Sequence, residues 1–155
     1  MIKSCMKKNV FSIQANATLR EAAKKMAGHH IGLLPVVDQE NKVIGIIGLP
    51  DMLALEMPAF FNLMNDLDFM ADFGAVEVTR PSAQEVDQPV TAIMQPVLSV
   101  EEDSGLLLAY GLMLKHNLSD LPVVDESEHL VGIVSRVDIG TTILATWQNI
   151  EEDKP

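Results

Sequence analysis

A single cysteine, Cys5, in 155 residues excludes an internal disulfide and any metal site built on a cysteine cluster, so a reducing, cytoplasmic setting is expected. Bases are scarce as well. Eleven Lys and Arg stand against 22 Asp and Glu, a net charge of −11, which is a poor electrostatic start for nucleic acid or an anionic membrane. Arg20, Arg80 and Arg136 are the only arginines, so a phosphate-bearing ligand must be small and met by local donors. No apolar run approaches the roughly eighteen residues that span a bilayer, and no membrane insertion is expected. Met1–Lys8 lacks the apolar stretch of a signal peptide. There is no Walker loop, no Gly-x-Gly-x-x-Gly fingerprint and no Gly-x-Ser-x-Gly elbow. Nothing assembles a nucleophile with a base, and the chain reads as a non-enzyme. What it does have is apolar content, 48% with mean hydropathy +0.19, enough for a packed core rather than disorder.

That content is organised as a duplication. Leu34-Pro35-Val36-Val37-Asp38 returns letter for letter as Leu121-Pro122-Val123-Val124-Asp125. At the same offset of 87 positions, Val10, Ser12, Leu19, Ala22, Met26 and His29 recur as Val97, Ser99, Leu106, Ala109, Met113 and His116. Gly45, Ile46 and Asp51 recur as Gly132, Ile133 and Asp138. A unit of about fifty residues buries too little apolar surface to stand alone, so the copies should pack on each other and leave clefts beside a pseudo-twofold interface.

Each copy reads strand, helix, strand, strand, helix. In the first, Val10–Ile13 is a strand, and Thr18 with Glu21 has the form of a capping box. Leu19, Ala22, Ala23 and Met26 then form one apolar helix stripe, which Leu106, Ala109, Tyr110 and Met113 reproduce. Leu34–Val37 and Val43–Ile47 form a hairpin, repeated as Leu121–Val124 and Leu130–Val134. Pro35 points to an edge or strand-start position. Asp51 and Asp138 should open helices over Met52–Met57 and Ile139–Ile150. The resulting division is copy one over 1–57, an unmatched Phe-rich insert over 58–88, and copy two over 89–155 with an acidic tail. The insert holds Phe60, Phe61, Phe69 and Phe73, four of the five phenylalanines, with Phe60, Leu63, Met64 and Leu67 at helical spacing. It covers either the flank of its own module or a dimer or partner surface.

The strongest chemical signal is Gly132-Ile133-Val134-Ser135-Arg136-Val137-Asp138, where a strand ends and a helix begins. Helix N-termini present unpaired N–H groups and a positive dipole end that suit phosphate. Ser135 can donate to phosphate or ribose, Arg136 offers a fork to phosphate, and Asp138 can accept from two ribose hydroxyls. The plainer reading makes Asp138 an N-cap, and the two roles do not exclude each other. His29-His30 invites a metal reading, but no cysteine cluster or regular ligand set accompanies it, and no metal is expected. Nine methionines at mostly core spacing read as packing.

The tandem Leu-Pro-Val-Val-Asp strands, each followed by a Gly-hydrophobic-hydrophobic stretch leading to an aspartate, resemble the CBS domain pair, or Bateman module. Cys5-Met6 and Ile93-Met94 are similar to the Ile-Met that opens each unit. The resemblance covers nearly the whole chain except the insert. It implies an α/β (α+β) fold of two β-α-β-β-α repeats packed by their sheets with pseudo-twofold symmetry. It also implies an adenosine-containing regulatory ligand (AMP, ADP, ATP or S-adenosylmethionine) in the inter-repeat clefts, with no cofactor required. A homodimer that regulates an enzyme or transporter is the implied context. By position, Ser135 and Asp138 would serve phosphate and ribose, while Ser99, Val100, Leu118, Ser119, Leu121 and Pro122 would line the adenine pocket. The first copy departs from the pattern, with Gly48 where the hydroxyl belongs and Leu49 in place of Arg136. A weaker site is therefore expected around Asp51, with Ser12, Ile31, Gly32, Leu34, Pro35 and Gly48. The leading expectation is a stand-alone sensor that signals by rearrangement of its repeats or protomers. Its rival is an assembly module with vestigial clefts, acting on a partner through the Phe-rich insert.

Overall fold

The computed structural model describes residues 1–57 and 80–151. The expected helix around Phe60–Leu67, and with it the insert's proposed surface role, lies outside the described residues. Two three-stranded sheets form, each with one parallel and one antiparallel neighbour pair. The first contains β1 (Ile13–Gln14), β2 (Leu33–Val37) and β3 (Val43–Gly48), and the second β4 (Val100–Glu101), β5 (Asp120–Val124) and β6 (Leu130–Ser135). Helix α1 (Leu19–His29) and the short α2 (Leu49–Leu53) belong to the first copy. After α3 (Ala83–Val86) come α4 (Leu106–Lys115) and α5 (Arg136–Thr146) of the second.

The local signals work as their chemistry dictates. Thr18 Oγ1 accepts from Glu21 N (3.2 Å) while Thr18 N donates to Glu21 Oε2 (2.9 Å), a complete capping box. Leu19, Ala22 and Met26 are buried, as are Ala109 and Met113 of the second stripe. The aspartate that ends each repeated pentapeptide closes a hairpin turn. Asp38 Oδ1 accepts from the N–H groups of Glu40 and Lys42, and Asp125 Oδ1 from those of Ser127 and His129. Even the left-handed residues repeat at the same offset, His30 with Asn117 and Asn41 with Glu128. Asn and His are enriched in this conformation, so Glu128 is the one of the four on which the fold imposes it against preference.

Several expectations need correction: the opening strand is Ile13–Gln14 rather than Val10–Ile13, and the helices after the hairpins end at Leu53 and Thr146 rather than Met57 and Ile150. Pro35 sits in the central strand of its sheet, not at an edge. It is tolerated because β1 reaches only Val36 and Val37, leaving no ladder donor required of Pro35 on that side. The helices after β3 and β6 begin earlier than expected, at Leu49 and Arg136, so Asp51 and Asp138 occupy the third helical position and not the cap.

Packing crosses between the copies. Ile2, fully buried, joins the core of the second copy with Val100, Met113 and Leu121. Val90, with Ile93 and Met94 against it, joins the core of the first. The opening segment of each copy thus seats on the other. Lys7 bridges Ile133 of β6, and Gln95 bridges Ile46 of β3, both antiparallel. Gly132 and Gly45 permit this close approach: a Cβ on Gly132 would stand 2.9 Å from the Lys7 carbonyl, and one on Gly45 3.0 Å from that of Gln95. A third apolar cluster, Val37, Val43, Val124 and Leu130, joins the two hairpins. There Leu130 N donates to the Asn41 carbonyl and Val43 N to that of Glu128.

Candidate functional site

The corner at the start of α5 is built by its backbone. Ser135 is extended (φ −103°, ψ 163°), which places its side chain over the first helical turn. Its Oγ accepts from Asp138 N at 3.0 Å, and its N–H donates to Asp138 Oδ2 at 3.0 Å. The box fixes the carboxylate and uses one of its oxygens. Among the described residues no donor meets the other, Oδ1.

Asp138 borders a cavity of about 310 Å³ between the copies. That is near the lower end of small-molecule pockets, roughly 300–1,000 Å³. The second copy contributes Asp120, Ile133 and Asp138, and the first contributes Phe11, His30, Ile31, Gly32 and Leu33. Lys7 and Asn9, on the crossing segment, complete the wall. The left-handed His30 (φ 54°) turns the chain out of α1 so that Ile31 and Gly32 reach this cleft. Phe11 stacks on His29 with centroids 3.9 Å apart. The cavity therefore has an apolar wall at Phe11 and Ile31 and a polar end at Asp138, Asp120 and Lys7, a division suited to a flat apolar group joined to a polar, hydroxyl-rich one.

Arg136 does something other than offer its fork to the cleft. Its Nε donates to the Leu118 carbonyl (2.6 Å) and its Nη2 to the Met113 carbonyl (3.2 Å), with its backbone N bonded to Ser119 O. It ties the end of α4 to the start of α5, where helix carbonyls favour a cation.

At the pseudo-equivalent corner the aspartate is bonded by protein on both oxygens. Gly48 caps α2 without a hydroxyl, and its N–H donates to Asp51 Oδ2 at 2.8 Å. Gln95 Nε2 then donates to Asp51 Oδ1 at 2.9 Å, so both oxygens are engaged.

The residues expected to share a site fall in several places. Ile31 and Gly32, expected beside Asp51, line the Asp138 cavity and also border a pocket of about 380 Å³ with Leu49 and Met52, where the Gly32 carbonyl accepts from Leu49 N. Val100, Leu121 and Leu34 are buried in the cores of their own copies, and Pro122 and Pro35 are buried in the central strands. Leu118 and Ser119 present carbonyls to Arg136, and the exposed Ser119 Oγ donates to Asp120 Oδ2 at 2.8 Å. Ser12 borders a separate open groove of about 820 Å³ with Lys24 and Lys25, its carbonyl accepting from Lys25 Nζ. Ser99, half-buried ahead of β4, is not part of the Asp138 cavity wall. Sequence reasoning missed Lys7, Phe11, His30 and Asp120. The signal available for Lys7 was its place directly after Met6, matching Gln95 after Met94. Among the described residues no group of three or more His, Cys, Asp or Glu could hold a metal ion. None of the described helices is long and apolar enough to cross a membrane.

Comparison with known proteins agrees with this architecture. The family model described as CBS domain matches residues 2–57 and again 90–143. An uncharacterized 17.7 kDa protein of Acidianus ambivalens is 30% identical over 87% of this chain and 68% of its own length. A homoserine O-acetyltransferase of Methanocorpusculum labreanum is 29% identical over 86% of this chain, which spans only 22% of that enzyme. Among solved structures, the CBS domain pair of protein MJ0100 in complex with 5′-methylthioadenosine and S-adenosyl-L-methionine superposes with a TM-score of 0.66 at 25% identity, covering 94% of this chain and 97% of that one. CBSX2 from Arabidopsis thaliana shares the fold, with a TM-score of 0.72 at 22% identity over 96% of this chain and 97% of that one.

Proposed function

This chain belongs to the CBS-domain family and carries two copies of the domain, and from that premise we propose that it is a regulatory module binding an adenosine-containing ligand at the Asp138 cavity. The observation that carries the reading is that this cavity draws its walls from both copies, with Asp138 and the apolar Phe11 and Ile31 all among its lining. Asp138 Oδ1 would accept from ribose hydroxyls, and Phe11 and Ile31 would flank the base. Both ligands of the MJ0100 pair contain an adenosine moiety, which supports a nucleoside as the element recognised. A ligand that touches both copies acts by population shift: it favours whichever mutual arrangement gives it better contacts, and by no more than that difference. Nothing in this scheme requires a reaction, and the module is read as regulatory rather than catalytic.

The second copy also exposes apolar side chains on packed neighbours, Leu107, Leu108 and Leu114 on α4 and Val137 and Leu144 on α5. Exposed apolar residues concentrated this way favour a protein contact, and a homodimer through these helices fits the reading. That dimer would transmit the rearrangement to a regulated enzyme or transporter.

A thermal-shift panel of AMP, ADP, ATP with and without Mg²⁺, S-adenosylmethionine and 5′-methylthioadenosine tests the function. A ligand at about 100 times its Kd adds about 2.7 kcal/mol to the folded state. The expected result is a selective rise in Tm that disappears in Asp138→Ala. A flat panel with nucleotide-free protein would move the reading to an assembly module without a ligand.

A further inference from the structure

The two opening segments place one residue each at an equivalent crossing point. Lys7 pairs with Ile133 and Gln95 with Ile46, each beside a strand that runs into a helix with an aspartate at its third position. In one corner the Gln95 amide reaches across and occupies Asp51 Oδ1 at 2.9 Å. In the other, Lys7 borders the cavity and forms no ion pair with Asp138 among the described residues. An amide can satisfy a carboxylate as a neutral donor, whereas an ammonium is a charged donor with no acceptor. Arg136, the other cation nearby, is committed to the carbonyls of Leu118 and Met113. Asp120 and Asp138 both face the cavity, so an anionic ligand tail needs a positive partner there, and Lys7 is the lysine on its wall.

We infer that the residue at this crossing point selects the ligand: Lys7 fits the Asp138 cavity for an adenosine ligand with an anionic tail, of nucleoside monophosphate type, while Gln95 closes the Asp51 corner. The inference rests on the adenosine reading and adds to it the ligand's charge class and a stoichiometry of one per chain. The Lys7 side chain can be changed without touching the bridge to Ile133, which its backbone N–H and carbonyl make at 2.8 and 2.9 Å.

Titration calorimetry with AMP and adenosine on wild type, Lys7→Gln and Lys7→Arg tests it. Wild type should bind one AMP per chain, about tenfold more tightly than adenosine, the worth of one charge-assisted hydrogen bond. Lys7→Gln should lose that preference, and its amide, like that of Gln95 on Asp51, should occupy the free Asp138 oxygen and weaken AMP and adenosine alike by about tenfold. Lys7→Arg should retain the preference. An AMP preference that survives in Lys7→Gln, equal wild-type affinity for both ligands, or two equivalent AMP sites per chain would overturn the inference while leaving the adenosine reading intact. Absence of binding by either compound to wild type would bring down the adenosine reading itself.

Discussion

Asp51 and Asp138 hold the same position in duplicated sequence, yet one has both carboxylate oxygens engaged by the protein and the other borders a cleft with one oxygen free. Both accept from the backbone N–H three residues earlier, at 2.8 and 3.0 Å. They differ in the neighbours. Gly48 replaces Ser135, Leu49 replaces Arg136, and Gln95 takes the place of Lys7. The comparison separates scaffold from site. What the copies share builds hairpins, helix starts and the close crossing of the opening segments. What they do not share decides whether the aspartate keeps an oxygen free.

The largest effect on this comparison should come from the crossing itself. Gly132→Ala sets a Cβ against the Lys7 carbonyl at 2.9 Å, a backbone atom that cannot swing away. It should cost about 1–3 kcal/mol in denaturant unfolding, as overpacking does, and weaken ligand binding by displacing Lys7. Gly140→Ala is the control, since its Cβ meets nothing within 4 Å. In an α-helix that change should be neutral or stabilise by up to about 1 kcal/mol. Equal losses from both would break the crossing account.

Next is Arg136→Leu, which gives the second corner the residue of the first. Losing two hydrogen bonds from a charged group should cost about 1.5–3 kcal/mol of stability. Affinity for AMP should fall by less than about threefold, because the guanidinium is spent on carbonyls and not on the ligand. A tenfold or greater loss of affinity with unchanged stability would return Arg136 to the role of phosphate fork. Ser135→Gly should cost only a few tenths of a kcal/mol in unfolding, since glycine caps nearly as well. A cost above about 1 kcal/mol would show that the hydroxyl does more than cap.

The smallest effect is on pH dependence. The backbone N–H of His129, then that of Ser127, holds the Asp125 carboxyl below its ordinary value of 3.8, with burial opposing. The Arg20 side chain does the same for Asp87. A depressed folded pKa means a contribution that is present above pH 3.8 and is lost as pH falls through the folded value. Asp125→Asn should therefore flatten the acid limb of the stability curve slightly below that pH. A change confined to neutral pH would contradict the assignment.

Much of the fold was legible because its signals are local. The capping box at Thr18, the apolar stripe through Leu19, Ala22 and Met26, and the turn-closing Asp38 and Asp125 each follow from a few neighbouring residues. The duplication then implied the paired architecture. Asp138 was legible as a site residue for the same reason. Its partners were not, because they come from the other copy. The family resemblance groups Leu118 and Ser119 with Asp138, and Ser119 does accept from Arg136 N at the start of that helix, but Ile31, Gly32 and Lys7 come to the Asp138 cavity from outside the second copy's own pattern. Val100 and Leu121 illustrate the converse, carrying the pattern of a ligand wall but being consumed by the core. Arg136 reads as a phosphate fork until the ends of two helices are seen to need its charge.

The central claim is that the Asp138 corner, not its copy at Asp51, takes the ligand. Its most direct test is titration calorimetry of AMP against Asp138→Ala and Asp51→Ala, each first shown by thermal melting to be folded. The account predicts a loss of more than about tenfold in affinity for Asp138→Ala, and a change of less than about twofold for Asp51→Ala. A greater loss from Asp51→Ala would contradict it.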